Sequence, residues 1–164
     1  MGGVNPYAAA EGEVPLARLF ALALGSLIED LHARLAERGW SGMRPAYGYV
    51  LVTARARPTT VTDVARVLGV TKQAASQVVD AMASLGVVRR DPHASDARAR
   101  VVVLTERGHE LLAAVEEVYR EQEREWSAVL GESAVARMRA DLTRVLADAP
   151  ELRAHSVGSP PAGR

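Results

Sequence analysis

The chain of 164 residues contains no cysteine. That absence excludes a disulfide framework, a thiolate zinc site and thiol-based redox sensing together, and it fits a cytosolic compartment. Long hydrophobic runs are missing too. No stretch approaches the roughly 20 apolar residues that a bilayer crossing requires. The N-terminus, MGGVNPYAAAEGEVPL, has neither a basic start nor a continuous apolar core, so neither a signal peptide nor a membrane anchor is expected. Catalytic signatures are equally scarce. There is no Gly-x-Ser-x-Gly elbow and no phosphate-cradling glycine loop. His109-Glu110-Leu111-Leu112 opens like the metalloprotease H-E-x-x-H, but Ala113 stands where the second histidine is needed to place two ligands on one helical face. His32, His93, His109 and His155 are scattered, and only a cluster assembled across two copies would make a metal site of them. Neither enzyme activity, nor a cofactor, nor a resident metal is expected.

Net charge is the last thing lacking, with 20 basic and 20 acidic residues. Its distribution is informative where its sum is not. Residues 55–107 hold nine basic groups against five acidic ones, whereas 108–153 hold six against ten. A basic middle followed by an acidic segment points to a polyanion contact made by the middle alone.

What is present is helical periodicity. Leu16, Leu19, Phe20, Ala23, Leu27, Ile28, Leu31 and Leu35 recur at three- and four-residue steps and predict a long amphipathic helix ending near Arg38-Gly39. Pro45 suits the first turn of a second helix through about Arg55, closed before Pro58. Thr62 stands as the expected N-cap of a short third helix, DVARVLG, and Thr71 as that of a fourth, KQAASQVVDAMASLG, with Gly86 a C-terminal cap. The fourth helix places Ala75, Val78, Val79, Met82 and Leu85 on one face and Gln73, Ser76, Gln77, Asp80 and Ser84 on the other. Two short helices joined by Gly69-Val70 make a helix-turn-helix candidate. After it come two strand-like runs, 87–90 and 99–104, around a polar loop that puts Arg98 at or near the tip of a hairpin. Thr105 is expected to cap a further long helix, broken by Gly131 before a last amphipathic one.

The second helix of such a pair fits the major groove of B-DNA, with its N-terminal residues at the base edges. Thr71, Lys72, Gln73, Ala74, Ser76 and Gln77 are available there. The glutamine amides suit adenine, Lys72 a phosphate and Ala74 a thymine methyl. Arg98, with Asp96 two residues earlier to orient it, suits the negative potential of a narrow minor groove. Thr62, Arg89 and Arg100 complete the candidate DNA-binding set. The bland alternatives are a solvated helix face and a turn held by a local Asp-Arg pair.

At LGVTKQAASQVVDAMASLGVVRR, and above all at DPHASDARARVVVLTERG, the sequence resembles the MarR (multiple antibiotic resistance regulator) family of transcriptional regulators. The second stretch carries the family's Asp-x-Arg in the wing followed by Val-x-Leu-Thr-x-x-Gly. Relative to the shortest wings of the family, His93 and Ala94 are extra. The resemblance implies a mostly α, winged helix-turn-helix domain spanning 15–150. The winged lobe lies at about 44–105, and dimerisation helices lie at about 16–38 and 106–147. Residues 1–14 and 153–164 are expected to be disordered. It further implies a cytoplasmic homodimer that binds a pseudo-palindromic site in double-stranded DNA and regulates transcription, usually as a repressor. Family members often take a small, commonly phenolic, effector between the dimer helices and the DNA-binding lobe. His32, Trp40, Arg44, Tyr47 and Tyr119, with Tyr49 nearby, are the residues placed to line such a cleft, though core or rim aromatics would look the same. The rival from another class is a winged-helix module that binds protein and not DNA.

Overall fold

The computed structural model describes residues 14–93 and 96–148, apart from the side chains of 93, 96–99 and 148. The expected disordered ends fall, but for Val14, outside the described residues. The architecture is mostly α with one small antiparallel sheet. Helix α1 (Leu16–Glu37) is amphipathic as its periodicity predicts. Only Leu31 and Leu35 are fully buried, and Leu16, Leu19, Phe20, Leu22 and Leu24 face outward. It closes where Gly39 takes φ +84°, letting the Trp40 N–H donate to Leu35 O at 2.8 Å and the Gly39 N–H to Ala36 O at 3.0 Å. Helix α2 (Pro45–Ala56) begins on its proline and buries Tyr47, Val50, Leu51 and Thr53.

Strand β1 (Thr59–Thr60) has no counterpart in the sequence pattern, because two residues carry no period and their partner is some forty residues away. Thr59 pairs with Val102 and Thr60 with Val101. Helix α3 (Val61–Leu68) follows at once, and here an expectation is corrected. The N-cap is Thr60, not Thr62, which lies exposed in the first turn. The Thr60 hydroxyl accepts from the Asp63 N–H at 3.2 Å, and the Asp63 carboxylate accepts from the Thr60 N–H at 3.0 Å and its hydroxyl at 2.7 Å. This reciprocal capping box satisfies two otherwise orphaned donors, which Thr62 is placed too late to do.

Helix α4 (Lys72–Ser84) is capped by Thr71 as expected, its hydroxyl accepting from the Ala74 N–H at 3.2 Å. Ala75, Val79 and Met82 are buried against the core formed with Val64, Leu68, Val50 and Leu51. Strands β2 (Val88–His93) and β3 (Asp96–Leu104) form the hairpin, and β3 is central in the order β1-β3-β2. The strands run further than the sequence suggests. Asp91 pairs with Val101 and Pro92 with Arg100, so the polar loop expected at 91–98 is largely ladder. Pro92 is tolerated because β2 is an edge strand and the register shifts beside it. Helix α5 (Glu106–Leu130) is capped by Thr105, and Gly131, at φ +86°, separates it from α6 (Glu132–Asp148). Arg34 and Arg38 of α1 grip Glu121 and Glu125 of α5, and the buried Gln122 side chain donates to Leu27 O and Asp30, each at 2.9 Å.

The capping box makes a separable prediction. Thr60→Ala costs about 1 kcal/mol and Thr62→Ala only a few tenths, read from denaturant midpoints. Burial pushes the Asp63 carboxyl up, but the Thr60 hydroxyl and N–H, then Arg57 and Arg66, outweigh it and hold the group below its ordinary value. A carboxyl depressed on folding stabilises above its unfolded pKa, and that contribution is lost as pH falls through the folded value. Asp63→Asn is therefore less stable than wild type at neutral pH, and the gap narrows below about pH 4.

Candidate nucleic-acid interface

The interface is built from α3, the turn at Gly69, α4 and the β2–β3 wing. Gly69 takes φ +64°, and the reversal it permits sets α4 across α3. With one α4 face sunk in the core, Thr71, Lys72, Gln73 and Gln77 are left exposed at and after its N-terminus, and Ala74 is half-buried between them. Ser76 behaves differently. It is half-buried, and its hydroxyl accepts from Arg90 Nη2 at 3.0 Å and lies 3.4 Å from the Asp80 carboxylate. Sequence reasoning placed Ser76 among the free recognition-face residues and overlooked Arg90. The available signal was strand alternation, since Arg90 shares a face with the buried Val88 and Arg89 does not.

On the outer side of β2, Arg89 is exposed and makes a paired contact with Asp91, at 2.9 and 2.7 Å. Arg100 is exposed on β3 opposite Pro92. Between Pro92 and His93 the partner on β3 steps from Arg100 to Asp96, so Arg98 falls within the irregular stretch of the strand near the hairpin end. It lies on β3 and not in a free loop. The side chains of Asp96 and Arg98, and hence their expected pairing, lie outside the described residues.

The base of the wing explains the sequence pattern that follows it. Gly86, at φ +72°, ends α4 with its N–H on Ala83 O at 2.9 Å and the Val87 N–H on Met82 O at 3.2 Å. Val87 O then accepts from the Thr105 N–H at 3.2 Å, while the Thr105 hydroxyl donates to Gly86 O at 2.5 Å and accepts from the Gly108 N–H at 3.1 Å. A methyl group on Gly108 would overlap the Val87 carbonyl, so the last residue of Leu-Thr-x-x-Gly has no room for a side chain.

A cavity of about 470 Å³ opens between α1, α2 and α5. His32, Arg44, Tyr47, Tyr49 and Tyr119 line it together with Ile28, Leu31, Leu51 and Leu111. Desolvation, and then the neighbouring Tyr49, push the Tyr119 phenol above its ordinary value, so it is protonated at neutral pH and able to donate. Trp40 stands outside this wall. Its ring lies beneath the Arg107 guanidinium, 4.5 Å from ring centroid to charge, and Arg107 Nε also donates to Leu85 O at 3.2 Å. Among the described residues no group of three or more His, Asp or Glu side chains is placed to hold a metal ion, and no helix is long and apolar enough to cross a membrane.

A capped helix pair with an antiparallel hairpin packed beside its second member defines the winged helix-turn-helix class. Residues 41–99, which carry that lobe, match the model of the MarR family. The fold extends the likeness over the flanking helices. Apo MarR from E. coli superposes with a TM-score of 0.67 at 25% identity, covering 82% of this chain and 99% of that one. MepR of S. aureus, as an F27L mutant bound to an oligodeoxyribonucleotide, gives 0.59 at 22% identity over 83% and 99%. The transcriptional regulator BldR of Sulfolobus solfataricus gives 0.59 at 22% over 81% and 92%. The last two are likenesses of fold. No curated protein sequence is significantly similar to the chain. The winged lobe at 41–99 is thus similar to the MarR family, and the flanking helices share the fold of its solved members.

Proposed function

We propose that two copies of the chain bind a pseudo-palindromic duplex in the cytoplasm and repress transcription there. One observation carries the DNA-binding reading: α4 holds Lys72, Gln73 and Gln77 exposed at a capped N-terminus, with an arginine-bearing hairpin fastened beside it. In this reading α4 enters the major groove, where Gln73 and Gln77 read base edges and Ala74 meets a thymine methyl. Thr71 and Lys72 contact the backbone. The wing follows the flank with Arg98 in the minor groove. Arg100, Arg89 and the exposed Thr62 lie where backbone contacts fall, and Asp96 orients Arg98. Duplexes selected by the protein from a random pool supply the test. On them Gln73→Ala or Gln77→Ala costs roughly 1–3 kcal/mol and relaxes the base choice, with little change on nonspecific DNA. Arg98→Ala lowers affinity for all sequences and reduces the salt slope by about one unit. Indifference of the wild type to duplex DNA at low salt would sink the reading in favour of a protein-binding winged helix.

The twofold assembly rests on the apolar surface that one chain leaves outside. Leu16 and Leu24 on α1, Val129 at the end of α5 and Val145 on α6 are each more than half exposed. Isolated apolar side chains are ordinary on a surface, but helices carrying so many together need a partner. Light scattering gives twice the chain mass, and the selected half-sites lie about one helical turn apart, since both α4 helices must enter the major groove from one side. A monomer that binds DNA tightly overturns the assembly.

Ligand control rests on the cavity, whose walls join α1 and α5 to α2 beneath the DNA-binding lobe. A small aromatic effector held there by apolar side chains and by the Tyr119 hydroxyl, His32 or Arg44 releases DNA by favouring another arrangement of those helices. Reciprocity requires that the effector bind more weakly to the DNA complex. Tyr119→Ala weakens release and spares DNA affinity. A panel of aromatic acids that neither shifts the melting temperature nor releases DNA removes the effector from the account.

A further inference from the structure

We infer that Arg90 is a positioning residue: it fastens the wing to the recognition helix and so sets the angle between the two arms that reach the DNA. The inference rests on the DNA-binding reading above and goes beyond it. Arg90 lies on β2 opposite Val102, on the strand face that carries the buried Val88 toward α4. From there its guanidinium meets α4 three times: Nη2 is 3.0 Å from the Ser76 hydroxyl, 3.5 Å from Ser76 O and 3.0 Å from Asp80 Oδ1. The Ser76 hydroxyl in turn lies 3.4 Å from Asp80 Oδ2, so the pair of α4 residues, one turn apart, forms a single seat for the charge.

An arginine aimed at phosphate would keep its guanidinium in solvent. The Arg90 side chain is 35% exposed, and its acceptors belong to the helix; the Arg89 side chain is 59% exposed and points the other way. A lone surface ion pair does little. This one differs by what it joins, because β2 is an edge strand and its outer end reaches beyond the Val88 contact with the core. A small rotation about the wing base moves the hairpin end by much more than it moves Arg90. A recognition surface whose two parts must fit one duplex tolerates little such error.

The charge of Asp80 makes the inference decisive. Removing an acidic group beside a DNA-contacting helix raises affinity if electrostatics alone acts. If the clamp matters, Asp80→Asn lowers it. The experiment measures binding of wild type, Asp80→Asn, Arg90→Gln, Arg90→Asp and the swapped Asp80→Arg/Arg90→Asp protein to one duplex selected by the wild type, across a salt series. Melting temperatures are taken in parallel. Asp80→Asn and Arg90→Gln each weaken binding by roughly three- to thirtyfold. Neither changes the salt slope by a full unit, and the swapped protein binds more tightly than Arg90→Asp alone. Arg90→Gln that cuts the slope by about one, with Asp80→Asn binding more tightly than wild type, makes Arg90 a phosphate contact and overturns the clamp. So does wild-type affinity in both single variants. Should Arg90→Gln not fold, Asp80→Asn, on an exposed position of α4, decides by the sign of its effect. Failure of the wild type to bind any duplex removes the DNA-binding reading and the clamp with it, whereas unaltered variants of a DNA-binding wild type remove the clamp alone.

Discussion

The Thr105 hydroxyl, bonded to Gly86 O on one side and to the Gly108 N–H on the other, is the joint on which the arrangement depends. Around it the chain ends α4, turns into β2, returns along β3 and starts α5. Each of those events satisfies backbone groups left over from another. The left-handed Gly86 closes α4, Val87 O takes the Thr105 N–H, and the bare Cα of Gly108 lets α5 start against that carbonyl. Recognition helix, wing base and long helix therefore meet at one joint, and the hairpin beyond it is held to α4 through Arg90. Arg107 adds a fourth member, because it sits over Trp40 of the α1–α2 connection and donates to the carbonyl of Leu85, the residue that caps α4. A cation above an indole contributes about 0.5–1 kcal/mol at an exposed site, so the strut is modest in energy. Its position matters more, since Trp40 directly precedes the segment whose Met43 and Arg44 form part of the cavity wall.

That geometry gives physical content to the proposed communication between the cavity and the winged lobe. Were the proposed effector to alter the spacing of α1, α2 and α5, the start of α5 could not shift without disturbing the bonds of Thr105 to Gly86 and Val87. The Arg34, Arg38, Glu121 and Glu125 cluster ties the other half of α5 to α1. The Arg38 guanidinium beside Glu121 holds that carboxyl below its ordinary value, with Arg34 adding to the effect. Arg34, Arg38 and Glu121 are partly buried and Glu125 is more than half exposed, so the cluster fixes the crossing of the two helices while each pair adds modestly to stability.

Much of this was legible in the chain because the relevant signals are local. Helices α1, α2, α4 and α5 follow apolar spacing, Thr71 and Thr105 cap where a threonine precedes a periodic run, and glycines mark the ends. Expectation and structure part where local signals compete. In the string TTVTDV, Thr60 and Thr62 both precede apolar residues, and only Thr60 has an acidic residue three places on, the capping-box spacing that decides between them. Strand β1 is too short for a period, and its pairing with β3 is a long-range event that no window contains. The scarcity of aromatics points Trp40 to the cleft, yet proximity in sequence to Arg44 does not fix which side of the connection an indole faces.

The two neighbouring arginines of β2 show the same limit at the level of function. In composition Arg89 and Arg90 are identical additions to a basic middle, and net charge treats them as two equal contributions to a phosphate field. The strand pleat separates them. Arg89 is turned outward, held by its own neighbour Asp91, while Arg90 is turned inward onto α4. Of the nine basic residues counted between 55 and 107, others are also engaged within the protein: Arg55 with Glu116, Arg66 with Asp63, and Arg107 with Trp40 and Leu85 O. The positive middle is therefore smaller as a docking field than as a tally. Among the described side chains, Lys72, Arg89 and Arg100 remain exposed on the α4 and wing surface. In the proposed DNA complex each arginine turned back onto the protein is one fewer phosphate contact, so the alignment of the two arms carries weight that a charge count does not register.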